Sequence, residues 1–113
     1  MNSTEKVALY DLETSEIKIS MQLYFNEINQ LIFDGYDIGE SVKQAFGYSD
    51  YEYLHKVEPE EVNKFYALFD LAVEDKAALL QALKVRFSVN EAYTLFADFM
   101  KNNNIQFTSF VWH

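Results

Sequence analysis

Between Glu16 and Phe25 the chain alternates without a break: Ile17, Ile19, Met21, Leu23 and Phe25 fall on one side, and Lys18, Ser20, Gln22 and Tyr24 on the other. A repeat of two is the side-chain period of a β-strand, and an apolar side opposed to a polar side belongs to a sheet with one face covered and one face open. Val7–Leu12 reads as a short strand ahead of it, and Asn26-Glu27-Ile28-Asn29 has the length and asparagine content of a hairpin turn. The apolar run Leu31-Ile32-Phe33 therefore returns antiparallel. Asp50–Val57 alternates again, with Tyr51, Tyr53, His55 and Val57 on one face and Glu52, Leu54 and Lys56 on the other.

The cover for the apolar side has to come from segments whose period is 3.6. Asp37 with Glu40 three residues on, and Gly47 just past Phe46, outline a short helix carrying Ile38, Val42 and Phe46. Pro59 suits a first helical position, Glu60 and Glu61 suit the positive end of the helix dipole, and Val62, Phe65, Tyr66 and Phe69 form the buried stripe. Asp75 opens a further helix with Leu79, Leu80, Leu83 and Phe87; Ser88 and Glu91 have capping-box spacing ahead of Ala92, Leu95, Phe96 and Phe99, and Asn102–Asn104 ends that run. The tail Ile105–Trp112, with Phe107, Phe110, Val111 and Trp112, reads as a last strand pairing non-locally with the earlier sheet. The expectation is an α+β fold: a mainly antiparallel sheet of about five strands, built from an N-terminal meander, a central strand and a C-terminal strand, with three to four helices on one face. At 113 residues the chain, 1–113, makes one domain.

Charge narrows the function. Eighteen acidic against nine basic residues give a net charge of -9, which argues against a direct grip on nucleic acid or an anionic membrane surface and favours a basic partner. The absence of cysteine removes disulfides, thiol nucleophiles and cysteine metal sites, and together with an N-terminus lacking a signal-length apolar run it points to the cytoplasm. No triad can be assembled, because the only histidines are His55 and the terminal His113. Asp34, Asp37 and Glu40 lack the ligand ladder of a calcium loop, and three glycines cannot build a phosphate cradle. The reading is of a chain that is no enzyme and carries no metal or cofactor.

From Asp34 to Glu61 there are eight acids against Lys43 and Lys56, interleaved with tyrosines. Rings supply contact area and carboxylates steer encounter, so Tyr36, Asp37, Tyr48, Asp50, Tyr51, Glu52 and Tyr53 are the candidate partner-binding residues. A strand presents only alternate members of such a set to one side, and the competing reading turns Tyr51 and Tyr53 into the core.

The run Gly47-Tyr48-Ser49-Asp50-Tyr51-Glu52-Tyr53, preceded by Asp34-Gly35-Tyr36-Asp37-Ile38-Gly39 and closed by the aromatic tail at Trp112, resembles a group of small, largely uncharacterised bacterial proteins over most of the chain, from about Glu16 onward. In size, acidity and lack of catalytic groups the chain is similar in type to immunity proteins, which protect bacteria from secreted toxins, including those of contact-dependent inhibition. That likeness implies an intracellular inhibitor that occludes the active cleft of a basic toxin domain, with a nuclease as the fitting class. The rival expectation is a regulatory or assembly module that self-associates or docks through its sheet.

Overall fold

The computed structural model describes residues 6–47 and 50–112. Strands β1 (Lys6–Glu13), β2 (Lys18–Phe25) and β3 (Leu31–Ile38) lead through helix α1 (Glu40–Phe46) to β4 (Asp50–Val57). Helices α2 (Pro59–Leu68), α3 (Lys76–Phe87) and α4 (Ala92–Asn102) follow, and β5 (Thr108–Trp112) closes the chain. The sheet order is β1-β2-β3-β4-β5, with every neighbouring pair antiparallel. The three-helix run is inserted between two adjacent strands, so the fold is α+β, as expected. Among the described residues no helix is long and apolar enough to cross a membrane.

The alternation does its work as read. Ile19, Met21, Leu23 and Phe25 of β2 are buried, as are Leu31, Phe33, Tyr53 and Val57 of the next two strands, and they form one cluster with Phe65 and Tyr66 of α2, Leu79, Leu83 and Phe87 of α3, and Phe96 and Met100 of α4. Rings interlock at its centre: Phe96 stacks on Phe33 and on Phe65, and meets Phe87 edge-on. Each such side chain withdrawn from water contributes on the order of 1.5–3 kcal/mol. On β1 the register slips between Ala8 and Tyr10, a bulge that leaves Leu9 buried and sets Tyr10 opposite Met21. Val42 of α1 is buried but stands outside the main cluster.

Turns and ends follow local chemistry. The Asn26 carboxamide oxygen accepts from the amides of Ile28 and Gln30, Asn29 takes the left-handed conformation (φ 66°), and buried Gln30 donates to both carboxylate oxygens of Glu58 at 3.0 Å, tying the hairpin to the start of α2. Pro59 opens α2 as anticipated, and Asp75 caps α3 by accepting from the Ala78 amide. Gly47 ends α1 in the left-handed conformation and donates to the Lys43 carbonyl. Asn104 likewise has positive φ just past α4.

Several local expectations are corrected. β3 runs on to Ile38, so Asp37 and Ile38 belong to the strand; Gly39 occupies the cap of α1 with no side-chain cap bond. Gly39 is required there by its φ of 136° and because a Cβ would lie 2.3 Å from the Glu16 carbonyl oxygen. Ser88 ends α3, donating to the Lys84 carbonyl, and Glu91 precedes α4 without a capping bond, so the capping box does not form. Leu95 is exposed, while Ala97 and Met100 take its place on the inner face. Phe69 falls just past the end of α2.

Candidate functional site

The helices leave the other face of the sheet open, and the strand register fixes what stands on it. Asp11, Ser20, Tyr36, Glu52 and Trp112 form one row across all five strands. Ala8, Gln22, Asp34, Leu54 and Phe110 form the row on one side of it, and Glu13, Lys18, Ile38 and Asp50 the row on the other. These three rows hold five acids (Asp11, Glu13, Asp34, Asp50, Glu52) against the single base Lys18. The remaining row, Lys6, Tyr24, Ile32, Lys56 and Thr108, carries two lysines and no acid. The open face is thus polarised along the strands.

Rings and apolar groups stand among the acids. Trp112 is 49 % exposed, Phe110 40 % and Ile38 41 %. The rings of Phe110 and Trp112 stack with centroids 6.0 Å apart, and Lys56 lies over Phe110 at 5.4 Å. Gln22 donates to Asp34 at 3.4 Å, whereas Asp50 and Glu52 are exposed. Exposed apolar side chains thus stand beside carboxylates on this face.

The candidate residues divide between the two faces. Tyr36, Asp50 and Glu52 lie together on the open side. Asp37 and Tyr51, opposite one another in the register, and Tyr53 point to the helix side. Tyr53 is 5 % exposed and part of the core, so it is no surface contact; the period of two that produced the alternation carries it inward. Tyr48 lies outside the described residues. Trp112, Phe110, Asp11 and Glu13 complete the patch; Asp11 and Glu13 are placed by the β1–β2 hairpin, whereas Phe110 and Trp112 arrive by strand pairing over a long sequence separation, which a local pattern does not contain.

The inward set has its own chemistry. A Cβ on Gly35 would meet Tyr53 Cε2 at 2.5 Å, so the Tyr53 ring lies across the glycine and its hydroxyl donates to Asp37 Oδ1 at 2.7 Å. Burial raises the Asp37 pKa above the ordinary carboxylate value, with the Tyr53 hydrogen bond opposing; burial first, and then the hydrogen bond to Asp37, raise that of Tyr53. His55, 2 % exposed, stacks on Tyr93 at 3.8 Å and contacts the Tyr93 carbonyl through Nε2 (2.8 Å) and Ser109 Oγ through Nδ1 (2.7 Å). A carbonyl only accepts, so Nε2 carries the proton and Nδ1 accepts from the serine hydroxyl. Burial lowers the His55 pKa from 6.5 to about 4. The imidazole is a buried link between β4, β5 and α4, with neither a carboxylate partner nor access to solvent. Asp34 and Asp37 lie on opposite faces of β3, so the acids of that segment do not converge.

Comparison with protein-family models, with curated proteins and with solved structures finds no match to this chain.

Proposed function

We propose that the protein is a non-enzymatic binding protein whose open sheet face captures a basic protein domain. In its specific form this is the action of an immunity protein, blocking the cleft of a toxin such as a nuclease. The observation that carries the reading is the pairing, on one uncovered face, of exposed Trp112 and Phe110 and partly exposed Tyr36 with five carboxylates and one lysine over three rows. An acidic field speeds encounter with a basic cleft, and aromatic side chains then supply the buried contacts that hold it. A cleft built to hold phosphate is basic by necessity, which makes a nuclease the complementary target. The test is capture from source cells at low and high salt, using the native protein and Asp50→Lys/Glu52→Lys. The expected result is a basic protein retained in one-to-one ratio by the native chain, released by salt, and lost by the variant. Equal retention by the variant rejects the surface.

A second reading is favoured by β5. Its sequence Thr-Ser-Phe-Val-Trp has no charge and no proline, and among the described residues it is paired on one side only, with β4. Such an edge is a template for a further strand, and a second copy adding there would extend the sheet. Sedimentation at increasing concentration distinguishes the two: self-association insensitive to salt favours the edge, a monomer favours the face.

A further inference from the structure

On the helix-covered side, where the end of β3 meets the start of β4, Asp37, Tyr51, Tyr53, Asn90, Tyr93 and Thr94 border an open cleft of about 320 Å³. Three tyrosine rings gather there. Tyr53 and Tyr93 meet edge-on with centroids 4.8 Å apart, and Tyr51 lies 5.6 Å from Tyr53. Among the described residues that line the cleft, Asp37 supplies the only carboxylate and there is no lysine, arginine or histidine. Among the described residues the single ion pair is Lys64–Glu61, neither of which lines this cleft, so Asp37 has a hydrogen bond from Tyr53 and no counter-ion there.

A half-buried carboxylate without a counter-ion disfavours its own charge, and a bound cation removes that penalty. Aromatic faces are negative at their centres and attract a cation within about 6 Å, more strongly as water is excluded. The volume lies near the lower end of the roughly 300–1,000 Å³ range of small-ligand sites. The first turn of α4 borders the cleft through Tyr93 and Thr94, with Asn90 just ahead of the helix and Glu91 at its cap position. We propose that this cleft is a binding site for an alkylammonium group, held by the Asp37 carboxylate, which the Tyr53 hydroxyl positions, and flanked by the partly buried rings of Tyr51 and Tyr93. The group is that of a free small amine or of a methylated lysine side chain. The site lies on the opposite side of the sheet from the acidic patch and stands independently of the reading given to that patch.

The experiment is a titration of the full chain with choline and with choline's uncharged carbon isostere, followed by NMR of Asp37, Tyr51, Tyr53 and Tyr93. Choline is expected to shift these four residues together and the isostere to leave them in place. Asp37→Asn should weaken choline binding about 10- to 100-fold, the loss of one charge-assisted contact. Thr94→Arg changes an exposed position and delivers a guanidinium into the cleft, leaving Asp37 and Tyr53 intact; it should abolish binding with the melting temperature preserved, which keeps the test open even if Asp37→Asn misfolds. A basic peptide bearing trimethyllysine, run beside choline, distinguishes the sources: tighter binding of the peptide assigns the site to a protein side chain, and tighter binding of choline to a free amine. Equal binding of the isostere, or no shift at any of the four residues, overturns the assignment.

Discussion

The two faces of this sheet receive their residues from the same strands and do opposite things with them. On β4, Tyr53 and His55 enter a packed interior, where each polar atom is matched, Tyr53 with Asp37 and His55 with Ser109 and the Tyr93 carbonyl. One residue away on either side, Glu52 and Leu54 face the open side, beside Trp112 and Phe110 of β5. Identical residue types thus acquire different settings by parity alone: Tyr53 on the inner side is packed into the core, while Tyr36 stands partly exposed on the outer side. Substitutions on the covered face should therefore cost stability, and those on the open face should cost binding.

The largest effect is expected from Phe33→Ala, which empties a fully buried site against His55, Tyr93 and Phe96. It should lose about 3–5 kcal/mol, measured by denaturant unfolding. Acid comes next. With His55 near 4 in the folded chain and 6.5 unfolded, the unfolded state binds the extra proton between those values. The neutral imidazole's contribution is complete above pH 6.5 and is lost as pH falls toward 4, by about 3 kcal/mol in all. His55→Gln should flatten that part of the stability profile; an unchanged profile would detach His55 from it. Gly35→Ala should cost about 1–3 kcal/mol, because the new methyl group displaces the Tyr53 ring and with it the bond to Asp37. The smallest change in stability, within about 0.5 kcal/mol, belongs to Asp50→Lys/Glu52→Lys on the open face. The same pair should slow association with a basic partner about tenfold or more at low salt, seen by stopped-flow. A stability loss from this pair comparable to that of Gly35→Ala would erase the distinction between the faces.

Most of the architecture is legible in periodicity, because each strand buries one side and each long helix one stripe. The unbroken alternation of β2 and the apolar spacing from Val62 to Phe87 need only local patterns, and both are realised. What escapes is set by distant neighbours. Asp37 has the residues of a cap about it, yet pairing with β2 and β4 extends β3 through it and hands its carboxylate to Tyr53. Ser88 and Glu91 have the spacing of a capping box, but Ser88 turns back to the Lys84 carbonyl and finishes α3. The candidate site is half legible. Alternation separates Tyr36 and Glu52 from Tyr51 and Tyr53 within the sequence itself, whereas the arrival of Phe110 and Trp112 beside Leu54 and Glu52 depends on β5 crossing the whole helical run to reach β4.

Trp112 is the chain's only tryptophan and stands on the open face, so a single fluorine label at that ring reports directly on whether the face is occupied. With the protein labelled by 5-fluorotryptophan and mixed with its captured partner, the account expects the one fluorine resonance to shift and to lose its contact with solvent as the complex forms. A complex that forms while that resonance stays unshifted and solvent-exposed contradicts it.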